Sequence, residues 1–206
     1  MDGSILVGIA GGSASGKTTL AQALEARIGP ERIGVLVADH YYRDIDWRDT
    51  EEIRRHDFDR PEALELSLLA THLRELRAGR TIEVPRYDFG THRRLTETRR
   101  LEAHPVTLVD GLLLFVDPEI RALFDLRVFV DTPADLRLAR RILRDTVERR
   151  RDVRDVIRQY LETVRPAYEE VVVPSREHAD LIIPGIGDYQ TAVDQVIARL
   201  GPRLVF

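Results

Sequence analysis

Apolar residues along this chain follow two alternating rhythms. Short continuous runs, Ile5 to Ala10, Ile33 to Ala38, Val106 to Val109, Leu126 to Val130 and Asp180 to Ile183, have the length of strands buried on both faces. Between them, apolar residues recur three and four apart, the period of a helix with one face on a core. This spacing predicts a helix over Thr19 to Ala26, and others over about Pro61 to Arg77, Pro133 to Val147, Val153 to Val164 and Tyr189 to Leu200. In the Pro61 helix, Leu64, Leu68, Leu69, Leu73 and Leu76 share one face and Gly79 marks the stop. Strands alternating with helices predict a parallel sheet covered on both sides, a three-layer α/β fold. The stretch 81–96 breaks the rhythm. Thr81-Ile82-Glu83-Val84, followed by Pro85 and Gly90, predicts a small hairpin lobe inserted into the sheet fold. With no internal repeat or low-complexity tract, residues 1–206 are read as a single domain.

The chemistry enters at the strand ends. Ile5 to Ala10 runs directly into Gly11-Gly12-Ser13-Ala14-Ser15-Gly16-Lys17-Thr18-Thr19, which fits the phosphate-loop pattern G-x-x-x-x-G-K-[ST] between a strand and a helix. Glycines allow close backbone approach, successive N–H groups form an anion cradle, and the helix adds the positive end of its dipole. Lys17 is placed to reach β- and γ-phosphates and Thr18 to bind Mg²⁺. Three further strands end in aspartate: Asp39, Asp110 and Asp131. Ligands of open parallel sheets bind beyond the carboxyl ends of the strands, so all three are expected on the phosphate-loop edge. Asp39, expected on the strand adjacent to the loop strand, is the candidate general base. Asp110 suits a Walker-B role toward Mg²⁺.

Composition sharpens this picture. Lys17 is the only lysine among 31 lysines and arginines. A chain that otherwise uses arginine keeps a compact ammonium where the loop calls for one. The absence of a second lysine also argues against the Asn/Thr-Lys-x-Asp segment with which GTPases usually read guanine. With no cysteine, disulfides, thiolate metal sites and cysteine nucleophiles are excluded, which suits a reducing cytoplasm. A net charge of −4 argues against general nucleic-acid binding, and no apolar run has the length of a membrane span or the form of a signal peptide. A motor would usually need more chain, and a small-molecule kinase fits the size. The run Arg137, Arg141, Arg144, continued by Arg149, Arg150 and Arg151, predicts an arginine-rich lid over about 137–154. The same arginines also fit a solvated helix face, with Asp145 and Glu148 as partners.

These segments resemble the uridine kinase (uridine–cytidine kinase) family of P-loop kinases, within the group that includes phosphoribulokinase and pantothenate kinase. The resemblance rests on the loop, Asp39-His40-Tyr41-Tyr42 and His56-Asp57-Phe58-Asp59-Arg60-Pro61. It continues through Pro85-Arg86-Tyr87-Asp88-Phe89-Gly90-Thr91-His92-Arg93, Asp110-Gly111-Leu112-Leu113, the lid with Gln159-Tyr160, and Ala179 to Pro184. It implies a P-loop NTPase-type fold and transfer of the γ-phosphate of ATP, or of GTP, to the 5′-hydroxyl of a pyrimidine ribonucleoside, with Mg²⁺. Asp39 would be the base, with Tyr42 beside the acceptor and Asp59 and Arg141 on the ribose hydroxyls. Tyr87 and His92 would face the base, near Arg151 and Gln159. Arg144 and Arg149 would meet phosphates and Asp188 would lie near the donor adenine. The resemblance also implies a cytoplasmic homotetramer with no nucleic-acid or membrane partner. A related kinase of pantothenate or phosphoribulokinase type, or a non-catalytic nucleotide-binding regulator, are the alternatives. The residues themselves keep other uses open: Asp59 as a helix cap before Pro61, Tyr87 and Phe89 as lobe core. Three positions depart from the family pattern: Asp110 for the usual glutamate, Arg150 where glycine is frequent, and His40 for a small residue.

Overall fold

The computed structural model describes residues 3–47 and 49–201. Five strands, β1 (Ile5–Ala10), β2 (Ile33–Val37), β5 (Val106–Asp110), β6 (Leu126–Asp131) and β7 (Leu181–Pro184), form one parallel sheet in the order β2-β5-β1-β6-β7. The intervening β3 (Ile82–Asp88) and β4 (Arg93–Leu101) pair antiparallel as a separate hairpin. The predicted lobe is therefore present and reaches Leu101.

Side-chain alternation along the strands builds two cores. Leu6, Leu36, Val109 and Phe129 face one side of the sheet, against Leu69, Leu73 and Leu76 of α3 (Leu66–Arg77). Val7, Ile9, Leu108, Val128 and Val130 face the other, against Leu20 and Leu24 of α1 (Lys17–Ile28) and the C-terminal helix Tyr189–Leu200. Short helices α2 (Thr50–Arg55) and α4 (Pro118–Arg121) follow β2 and β5, and α5 (Ala134–Val147) follows β6.

Three expectations change. Asp39 does not end a strand next to β1, because β5 lies between β1 and β2. All five residues of β5 are buried, as an interior strand requires, whereas β2 has partly exposed positions and takes the edge. Asp39 itself stands in a 3₁₀ turn, Ala38–Tyr41, just beyond β2. The expected Pro61 helix is two pieces, a 3₁₀ turn Pro61–Ala63 and then α3, which Gly79 closes at φ +76°. The expected stop at Val164 is passed. Helix α6 (Val153–Gln159) runs on through α7 (Arg165–Ala167) and α8 (Val173–Ser175), followed by a 3₁₀ turn to His178. A proline removes one N–H and crowds the carbonyl four residues back. The chain accommodates Pro166 and Pro174 with wider π turns at Tyr160–Val164 and Tyr168–Val172. The final helix, α9 (Tyr189–Leu200), matches its expected span.

Arg150, in the turn between α5 and α6, has φ +53°. That left-handed conformation opposes a Cβ and explains why glycine would suit the position. Arg150→Gly should raise stability by about 0.5–1 kcal/mol, strain relief exceeding the added entropy of the unfolded chain. Chemical denaturation checks this; a lowered unfolding midpoint would contradict it.

Candidate functional site

The loop after β1 turns on three residues of positive φ: Gly11 (+145°), Ala14 (+59°) and Gly16 (+100°). A Cβ on Gly11 would strike the Val130 carbonyl, and one on Gly16 the Tyr189 hydroxyl, so neither glycine is replaceable without moving its surroundings. The Ser15 N–H donates to the Gly12 carbonyl (3.1 Å) and Thr132 Oγ1 donates to the Ser15 carbonyl (2.8 Å), fixing the loop to the end of β6. Helix α1 begins at Lys17, whose Nζ donates to the Gly12 carbonyl at 3.0 Å. Thr18 Oγ1 donates to Asp110 Oδ2 at 2.6 Å, joining the loop helix to the end of β5.

The loop forms one side of a cavity of about 800 Å³. Of the residues singled out by sequence, Ser13 to Thr19, Asp39, Tyr42, Asp59, Tyr87, His92, Asp110, Arg141, Arg144, Arg149, Arg151 and Gln159 all line it. Gly11 and Gly12 do not line the cavity but lie at the start of the loop that does. Asp188 is not brought there. It is exposed and caps α9 by accepting from the Gln190 N–H (2.9 Å). Asp131 also leaves the group and pairs with Arg176 at 3.2 Å. Arg60, not Asp59, occupies the cap position before Pro61.

Opposite the loop the walls are aromatic. Tyr42 lies 5.3 Å from Tyr87 and 5.5 Å from Phe58, and Phe58 lies 4.9 Å from His92, measured between ring centres. Tyr87 Oη and His92 Nδ1 are both buried without a hydrogen-bond partner, so the aromatic end holds two unsatisfied polar atoms. Burial, reinforced by Arg151 and Arg149, lowers the His92 ring to about 4, leaving it neutral at physiological pH.

The carboxylates between these two ends are perturbed. Burial raises Asp39 above its ordinary range, opposed most by Lys17. Burial raises Asp59 to about 6, with Arg141 opposing. Arg141 is itself buried, donating to Ser13 Oγ (2.9 Å) and Gln159 Oε1 (3.0 Å), while Arg151 donates to the same Oε1 (2.9 Å).

Sequence reading treated Asp145 only as one partner for a solvated arginine face. In the fold Asp145 has no exposed surface and lies within ion-pair distance of Arg144 (2.9 Å), Arg151 (3.4 Å), Arg149 (3.6 Å) and Arg141 (3.7 Å). Burial would raise its carboxyl, but Arg144, Arg141 and Arg149 outweigh this and hold it low. Arg140 and Tyr189 also line the cavity unforeseen, Arg140 donating to the Gly185 carbonyl at 2.9 Å. Arginine at every third or fourth helix position gave no signal to separate Arg140 from its neighbours. Arg137, expected in the lid, lies instead beneath the loop, donating to the Thr132 carbonyl (3.1 Å) with its guanidinium 3.6 Å from the Tyr168 ring centre.

A mainly parallel sheet, helices on both faces and a phosphate loop at its carboxyl edge define a P-loop kinase fold. The model of the Phosphoribulokinase / Uridine kinase family matches residues 6–192, and the chain belongs to that family. It is a phosphotransferase acting on an alcohol group. The chain is 48% identical over 200 residues to a uridine kinase of Chloroflexus aurantiacus, spanning 97% of this chain and 96% of that protein. It is 38% identical over 199 residues to uridine-cytidine kinase B of Dictyostelium discoideum, spanning 97% and 82%. A solved structure described as a possible uridine kinase from Bacillus stearothermophilus superposes with a TM-score of 0.60 at 22% identity, covering 89% of this chain and 90% of that one, a likeness of fold.

The Asp59 shift has a stability consequence. Its carboxyl titrates near 3.8 when unfolded and about 6 when folded, so the folded state binds the proton more tightly. The cost of burying the charge is absent below about pH 4 and complete above about pH 6. Asp59→Asn should therefore raise stability by roughly 2–3 kcal/mol at pH 7–8 and leave it nearly unchanged at pH 4. Urea denaturation at both pH values checks this; equal effects at both would refute it.

Proposed function

We propose that this protein transfers the γ-phosphate of ATP to the 5′-hydroxyl of uridine or cytidine, in the cytoplasm, with GTP as a second candidate donor. The observation that carries the reading is one cavity with a phosphate loop at one end, an aromatic pocket with unpaired Tyr87 Oη and His92 Nδ1 at the other, and Asp39 among its lining residues. The names of the relatives supply the nucleoside; the pocket suits it because the rings of Tyr42, Phe58, Tyr87, Phe89 and His92 line the cavity where a flat heterocycle can pack.

The donor fits the loop, whose positive-φ backbone and helix N-terminus make an anion cradle. Magnesium fits Thr18 and Asp110. Among the described residues no group of three or more His, Cys, Asp or Glu could hold a metal, and Mg²⁺ on nucleotides commonly takes one or two protein ligands alongside phosphates and water. The ion would neutralise charge on the phosphates; Asp110, one methylene shorter than glutamate, already meets the Thr18 hydroxyl. Asp39 would accept the acceptor hydroxyl's proton, and the burial that raises its proton affinity favours that role. Arg144 and Arg149 would meet the transferring phosphoryl oxygens. Asp59 and Arg141 would bind the ribose hydroxyls, so a 2′-deoxynucleoside would leave a buried group unpaired and be rejected.

An ADP-release assay across nucleosides, 2′-deoxynucleosides, pantothenate and ribulose 5-phosphate tests the reading. Turnover with uridine or cytidine is expected; turnover only with another alcohol overturns it, and none at all favours a non-catalytic regulator. Asp39→Asn should keep ATP affinity while lowering kcat by about two decades or more. A kcat within a few-fold of wild type would remove Asp39 as the base.

A further inference from the structure

We propose that Trp47 is a positioning residue for the base-reading end of the cavity, acting through the backbone of His92. His92 lies in the turn between β3 and β4 with φ +56°, a conformation that costs a residue with a Cβ and persists only where the surroundings impose it. What imposes it comes from the segment after Asp39. Trp47 Nε1 donates to the His92 carbonyl at 2.7 Å. Asp44 accepts from the next two residues, Arg93 Nε (2.8 Å) and the Arg94 N–H (3.1 Å). The indole also closes an aromatic chain. Its centre lies 6.0 Å from Phe58, and Phe58 lies 4.9 Å from the His92 ring. Trp47 does not line the main cavity, yet it holds the carbonyl of a residue that does.

This inference rests on the nucleoside reading, because it assigns the held loop to the substrate's base. The indole N–H sets the direction of the His92 ring, whose orphaned Nδ1 and left-handed backbone would otherwise relax together. The effect belongs to nucleoside binding and not to the loop that holds ATP, which lies across the cavity.

Trp47→Phe keeps a ring against Phe58 and removes the donor. After wild-type turnover of uridine is established, this variant should raise KM for uridine about ten-fold, the scale of one lost hydrogen bond. KM for ATP and kcat should stay within about two-fold of wild type. Added to His92→Ala, it should have little further effect on uridine KM, because the two residues act as one unit. Trp47 is also the only tryptophan in the chain. Wild-type fluorescence should therefore shift on titration with uridine and not with ribose alone, a readout that holds even if the variant fails to fold. An unchanged uridine KM, an equal rise in KM for ATP, additive effects with His92→Ala, or silent fluorescence would each overturn the proposal while leaving the kinase reading standing. A wild-type protein that phosphorylates no nucleoside would instead overturn the nucleoside reading, and this proposal with it.

Discussion

The carboxylate of Asp145, without exposed surface, gathers Arg141, Arg144, Arg149 and Arg151 around itself at one wall of the cavity. Four guanidinium groups would repel one another in a partly dry site without a counterion. One buried anion makes the cluster possible, and because it neutralises only part of it, the group keeps a net positive charge. The pairing joins α5 to the turn beyond it, so the arginines are placed before any ligand arrives. A preorganised cationic wall costs no rearrangement at the moment charge develops on a phosphoryl group. The chain is acidic overall, yet its cavity is lined by Lys17 and five arginines.

The same logic orders the two ends of the cavity. The phosphate loop is fixed by backbone: positive φ at Gly11, Ala14 and Gly16, with the Ser15 carbonyl tied to Thr132 at the end of β6. The aromatic end is fixed by side chains reaching from the segment after β2. His40 Nδ1 accepts from the Tyr87 N–H at 3.2 Å, where a register shift interrupts the β3–β4 ladder, and Trp47 takes the His92 carbonyl. Asp39 opens the segment that supplies both contacts. The turn that carries Asp39 and the β3–β4 hairpin are therefore mechanically one piece, and the His40 contact is one that a small residue at position 40 would not provide.

What the sequence made legible follows from how local each signal is. The loop, the parallel strands and α9 depend on short-range patterns, and they fold as read. Strand order was misjudged because β1 and β2 are consecutive in the chain, while the wholly buried β5 competes better for the place between them. The extension of α6 beyond Val164 is not legible because proline ordinarily ends a helix, and the π turns that absorb Pro166 and Pro174 leave no compositional mark. Asp188 went to a helix cap, a use for which aspartate needs only a free N–H. Asp145 looked like one acid on an arginine-rich helix, because spacing on α5 does not reveal that the turn at Arg149 to Arg151 folds back over it.

Lys17 now has a physical contrast within its own site. The arginines work by forked geometry: Arg141 bridges Ser13 and Gln159, and Arg140 spans from α5 to the Gly185 carbonyl. Each needs width and several acceptors. Lys17 sits where the loop closes on itself, its Nζ donating to the Gly12 carbonyl at 3.0 Å as a single compact donor. An ammonium can also exchange that carbonyl for phosphate oxygens by rotating about one stem. A composition that elsewhere prefers arginine keeps lysine at the position where one compact donor turned onto its own loop matters more than bidentate grip.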